Sequence, residues 1–209
     1  MLLTWFGHGS FRIEYGNNVL YLDPYAGDAD WYDKPANLVL ISKNEYDHWS
    51  RSLLNKITVD GTHLFGSADV AREVFGCRPF APGDFITFDD GTRVQATAAV
   101  VRRRESVSEG LGWLITIGRQ TLYFVGDTDI LPNLLNVKAD IVIIPVGGTW
   151  TMSAKDAITV VRRITPRIAI PAHYGSQSGT IDDAELFREA VEPSYTNVLV
   201  LEPNREVTL

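Results

Sequence analysis

The sequence predicts an α/β fold of two sheets packed face to face with helices outside, and three observations carry that prediction. The first third of the chain is a succession of short apolar or alternating runs broken by turn residues, as β-hairpins require. The last third alternates apolar runs with capped segments of helical period, the rhythm of β-α-β crossovers. No Pro/Gly/Ser linker separates the two patterns, so residues 1–209 are expected to form a single domain.

Taken in order, residues 2–5, 11–15 and 19–22 read as strands, with Tyr15-Gly16-Asn17-Asn18 as the hairpin turn between the second and third. Leu38–Ile41 is uninterruptedly apolar, which marks a strand buried on both faces. Ser67 caps a helix to about Phe75 that places Val70, Val74 and Phe75 on one side. Residues 85–88, 94–98, 113–117 and 121–125 return to strand character, with turns at Asp89-Asp90-Gly91 and Gly118-Arg119-Gln120. Residues 141–144 form a buried strand, and Ser153 with Asp156 makes a capping box for a helix to about Ile164. Residues 167–170 are the next strand; Thr180 and Asp183 cap a helix to about Val191, and residues 198–201 close the series. No sequence repeat supports a two-half symmetry.

Hydrophobic residues make up 45% of the chain and charged residues 22%, an ordinary balance for a soluble globular protein with a substantial core. Cys77 is the only cysteine, so no intrachain disulfide and no thiolate metal cluster can form, and it reads as a small buried apolar residue. A net charge of -7 and a pI near 5.1 argue against non-specific nucleic-acid binding. No apolar run approaches the roughly 20 residues that span a bilayer. The opening residues lack a basic segment and are interrupted by Gly7-His8-Gly9, so a cytoplasmic protein off the membrane is expected.

In α/β folds chemistry gathers beyond the carboxyl ends of strands. Four such places are rich in reactive groups: Tyr21-Leu22-Asp23-Pro24, the segment from Ser42 to Ser50, Gly126-Asp127-Thr128-Asp129, and Pro171-Ala172-His173-Tyr174-Gly175. An Asp after a strand ordinarily caps a turn, and a lone His there ordinarily makes a structural hydrogen bond. Acids and imidazoles recur after separate strands, however, and two of each make a sensible divalent-metal set. Asp47, His48, Asp127 and His173 are therefore expected to converge in one pocket.

The same segments resemble the metallo-β-lactamase superfamily, and within it the branch that includes L-ascorbate-6-phosphate lactonase. Trp5-Phe6-Gly7-His8-Gly9-Ser10-Phe11 resembles that branch's G-H-S/A-S/C-F opening, and Tyr21-Leu22-Asp23-Pro24 its strand ending in D-P. Gly126-Asp127-Thr128 resembles its G-D-T, Pro145-Val146-Gly147-Gly148-Thr149-Trp150-Thr151-Met152 its P-I-G-G-x-Y-T-M, and Pro171-Ala172-His173-Tyr174-Gly175 its P-x-H-Y/F-G. The resemblance covers nearly the whole chain. It implies a four-layer αβ/βα sandwich of two mixed sheets with helices outside, a small-molecule substrate and a homo-oligomer.

The metal motif departs from the family pattern. The family's H-x-H-x-D-H falls on Lys43-Asn44-Glu45-Tyr46-Asp47-His48, with Lys43 and Glu45 in the places of the two leading histidines. The loop expected after residues 94–98 carries Arg102, Arg103 and Arg104 and no third histidine. By resemblance the first metal position has lost its histidines, whereas the second keeps Asp47, His48 and His173, with Asp127 as the bridging carboxylate.

Two functions follow. In the first, the chain is a hydrolase that holds one divalent ion, zinc or manganese, and acts on a small ester, lactone or phosphoester. Asp47, Glu45 and Lys43 are then its catalytic candidates: Glu45 is an added ligand or general base, and Lys43 anchors an anionic group. Trp49, Arg102 and Trp150 are substrate-binding candidates, and His8, Asp23 and Asp129 support the ligands. Tyr25, Trp31, Tyr32 and Tyr46 are expected on the loops around the pocket, and His63 has no expected role. In the second, the chain is a metal-free, non-catalytic member of the fold that binds a ligand or partner, with Lys43 and Glu45 paired across the former site.

Overall fold

The computed structural model describes residues 1–192 and 194–209. By its internal contacts the chain divides into two compact units, Met1–Phe80 with Leu201–Leu209, and Ala81–Val200. Each is built on one mixed sheet of seven strands.

The first unit opens with β1 (Leu2–Gly7), β2 (Ser10–Tyr15) and β3 (Asn18–Leu22), consecutive antiparallel neighbours in which Phe11, Ile13, Leu20 and Leu22 are fully buried. Next come β4 (Leu38–Ile41), helix α1 (Arg51–Ile57), β5 (His63–Gly66), helix α2 (Ala68–Glu73) and β6 (Arg78–Pro79), with β3 to β6 paired in parallel. Leu53, Leu54 and Ile57 of α1, Val70 of α2, and Val39 and Ile41 of β4 join one apolar cluster with Phe6, Tyr21 and Tyr32.

The second unit starts with β7 (Phe85–Thr87), β8 (Arg93–Arg103), β9 (Ser106–Ile117) and β10 (Gln120–Phe124), all antiparallel in sequence order. It continues through β11 (Ile141–Pro145), helix α3 (Ala154–Ile164), β12 (Ile168–Ala172), helix α4 (Ile181–Val191) and β13 (Asn197–Val198), with β10 to β13 parallel. The chain then returns to the first sheet as β14 (Glu206–Thr208), antiparallel to β1. Each sheet therefore carries three antiparallel and then three parallel pairings, a likeness of topology that no sequence repeat announces.

Two mixed sheets with helices are the expected fold class, and both expected capping boxes form, Ser153 with Asp156 and Thr180 with Asp183. Four expectations are corrected. α1, β5 and β6 were not anticipated, because each is short and the side chain of Ser50 makes no capping bond to announce α1. Phe75 is fully exposed, because α2 ends at Glu73 and the packed face ends with Val74. The last expected strand, residues 198–201, is confined to Asn197–Val198.

The fourth correction bears on the site. The segment expected as a loop after residue 98 is the second half of β8, paired without interruption to β9 as far as Arg103 and Ser106. Its buried positions change face midway, from Val94 and Ala96 to Ala99 and Val101, which breaks the period-two pattern without ending the strand. No helix among the described residues is long and apolar enough to cross a membrane.

Candidate functional site

In the first unit, β3 delivers Asp23 at its end with φ of 41°, a left-handed backbone that Asp tolerates better than most residues. Fully buried, Asp23 accepts hydrogen bonds from the Ser42 amide at 2.6 Å, from the Ser42 hydroxyl, and from His48 Nδ1 at 2.8 Å. A carboxylate can only accept, so Nδ1 carries a proton, and in the neutral tautomer Nε2 is the nitrogen left with a lone pair. This is the arrangement by which a carboxylate orients a ligand imidazole and makes it more basic.

Asp47 lies beside that ring. Its Oδ2 is 3.2 Å from Nε2 of buried His8. Its Oδ1 is 3.8 Å from His48 Nε2 and is buried with no hydrogen-bond partner among the described residues. Burial pushes the Asp47 carboxyl up, but the His8 hydrogen bond and the neighbouring imidazoles outweigh it and hold the group below the usual carboxylate range.

Lys43 is almost wholly buried, and its Nζ stands 3.0 Å from Glu45 Oε1. Glu45, Asp47 and His48 in turn each bring one ligand atom to within 4.8 Å of the other two. Tested against a divalent ion, Asp47 and His48 fit: one imidazole nitrogen is set up by Asp23, and one carboxylate oxygen has lost water without gaining a protein donor. Lys43 does not fit a ligand position, because an ammonium has no lone pair to donate.

Of the aromatic residues expected on surrounding loops, Tyr46 is exposed and Tyr25 meets it edge-on at 6.3 Å. Trp49 is half-buried and donates through Nε1 to Asn44 at 3.2 Å. Tyr32 belongs to the core instead, because its hydroxyl finds a partner there, the Ala26 carbonyl at 2.7 Å, and its ring stacks on Tyr21 and packs at a tilt against Phe6; Trp31 packs partly against the same cluster. His63 is exposed beside Arg78.

In the second unit, Asp127 follows β10 and His173 follows β12, and His173 Nε2 lies 3.3 Å from Asp127 Oδ1, both side chains buried. His173 has φ of 57°, so this position too is held in the left-handed region. Gly126, at φ of +70°, lets the turn run against β9: a Cβ there would lie 2.6 Å from the Leu111 carbonyl oxygen.

Asp129 accepts from the Arg102 amide at 2.7 Å and from Arg103 Nη1 at 3.0 Å. Arg103 also donates to the Thr149 carbonyl through Nε and Nη2, tying the tip of the β8–β9 hairpin to the loop that carries Trp150. The side chains of Arg102 and Trp150, both substrate-binding candidates, are exposed. Sequence reasoning missed Ser42, which bridges Asp23 and His48, and the separate role of Arg103. The first was signalled by a lone hydroxyl directly after the buried run Leu38–Ile41; the second had no local signal.

A sequence family described as a beta-lactamase superfamily domain matches residues 2–173. A UPF0173 protein of Pyrococcus abyssi is 30% identical over 207 residues, covering 96% of this chain and 95% of its own. A UPF0173 metal-dependent hydrolase of Pyrobaculum arsenaticum is 26% identical, with 97% of each chain covered. Among solved structures, Igni18, a metallo hydrolase from Ignicoccus hospitalis, superposes with a TM-score of 0.84 at 22% identity, covering 99% of this chain and 97% of its own.

Proposed function

Because the chain belongs to the metallo-β-lactamase superfamily, within the UPF0173 family of metal-dependent hydrolases, we propose that it hydrolyses a small ester, lactone or phosphoester with one divalent ion, zinc or manganese. The observation that carries this reading is His48, oriented through Nδ1 by Asp23, beside an Asp47 oxygen that is buried and has no hydrogen-bond partner among the described residues.

Asp47 and His48 are the proposed ligands in the first unit, and Asp127 and His173 remain a separate pair of candidate ligands in the second. A bound ion would supply Lewis-acid polarisation of the scissile group and lower the pKa of water. Asp23 and Ser42 fix the ring of His48 in the tautomer that ligation needs, and His8 keeps Asp47 ionised. Glu45 provides a carboxylate able to take a proton, and Lys43 a cation suited to an anionic substrate group. Trp49 is the proposed substrate contact in the first unit, and Arg102 and Trp150 are the substrate-binding candidates of the second.

A second reading, a non-catalytic binding protein, is favoured by one observation, the Lys43–Glu45 ion pair at the two positions that depart from the family motif. One experiment separates the two. Chain purified without chelators, loaded with zinc or manganese and freed of excess, is analysed for metal and assayed against a panel of chromogenic esters, lactones and phosphoesters. The hydrolase reading expects about one ion per chain and a turnover abolished by Asp47→Ala; no retained metal and no turnover would leave the binding-protein reading.

A further inference from the structure

The pair formed by Lys43 and Glu45 has a consequence beyond the choice of reaction. A buried ammonium is costly unless a counter-charge is at hand, and Glu45 supplies one at 3.0 Å. The same Glu45 has a carboxylate oxygen within 4.8 Å of ligand atoms of Asp47 and His48. One carboxylate therefore faces two claims, from a cation built into the chain and from any divalent ion held by its neighbours.

We infer that Lys43 is an internal cation that competes for Glu45 and thereby weakens and limits metal uptake. The inference rests on the metal-dependent reading above. Lys43 opposes a divalent ion in two ways: it neutralises a carboxylate that would otherwise join Asp47 and His48, and it adds a like charge beside that carboxylate. Neither effect is available to an imidazole at the same position, which is neutral when it ligates. A side chain that only filled space would leave metal affinity unchanged when replaced by an apolar one of similar length.

Metal affinity itself is the readout. Zinc and cobalt(II) are titrated against a chromophoric competitor into the full chain, its Lys43→Met, Glu45→Gln and Lys43→Met/Glu45→Gln variants, with Lys43→Gln as a second replacement should Lys43→Met fail to fold. Lys43→Met is expected to tighten binding by about tenfold or more, since removing a unit charge at this range is worth at least that much at the effective dielectric of a protein surface. The gain should be at least about threefold smaller in the Glu45→Gln background, where only the direct repulsion is left to relieve. Unchanged or weaker binding in Lys43→Met, or an equal gain with Glu45 absent, overturns the role of Lys43 while leaving the metal-dependent reading in place. Failure of every form to bind either metal overturns both.

Discussion

His48 Nδ1 donates to Asp23 Oδ2 across 2.8 Å, and both side chains are completely buried. The bond sets which nitrogen of His48 keeps its lone pair, so Asp23 would act on the proposed metal site without being one of its ligands. Replacing Asp23 with Asn keeps the shape but exchanges a charged acceptor for a neutral amide. Metal affinity is expected to fall by about 10–100-fold while the circular dichroism spectrum is retained. Competitive chelator titration measures this; a fall of less than about threefold would show that the orientation of His48 does not depend on Asp23.

Gly126 precedes Asp127 at φ of +70°, with the Leu111 carbonyl oxygen only 2.6 Å from where a Cβ would sit. Alanine there meets an unfavourable backbone conformation and a clash with main chain rather than with a flexible side chain. Gly126→Ala is expected to destabilise the protein by about 2 kcal/mol or more, lowering Tm by roughly 4–8 °C. Differential scanning calorimetry would reveal it, and a Tm within a degree of the parent would contradict the packing described.

Cys77 has its thiol pushed up to about 11 by burial, from an ordinary 9.0. Between these values the unfolded chain releases a proton that the folded chain retains, so stability is fully present below about pH 9 and falls as pH rises toward about 11. Urea midpoints measured across that range should fall more steeply for the parent than for Cys77→Ala. Parallel profiles would place the thiol in an aqueous setting. Native chain should also react slowly with iodoacetamide at pH 8 and rapidly once unfolded.

Much of the fold was legible because its signals are local. Ser153 with Asp156 and Thr180 with Asp183 sit three residues apart, and Leu38–Ile41 declares its burial by composition alone. β8 was legible only in its first half, because its buried face changes at residues 98–99 and an alternation rule reads that change as an end. Lys43 and Glu45 were visible in the sequence as neighbouring charges, and the structure supplies what the sequence could not, the ion pair between them. Arg103 was hidden among three consecutive arginines; only the hairpin register distinguishes it from Arg102, whose side chain stays exposed while its amide meets Asp129.

By itself the sequence determined the class of fold, the capped helices and the superfamily. These depend on spacings of two to four residues and on short motifs, which any stretch of chain carries with it. Tertiary structure decided who partners whom: Asp23 with His48 across 25 positions, and Asp47 with His8 across 39. Those pairings are made by strand register and by where each strand ends, so nothing in the local pattern of either residue specifies them.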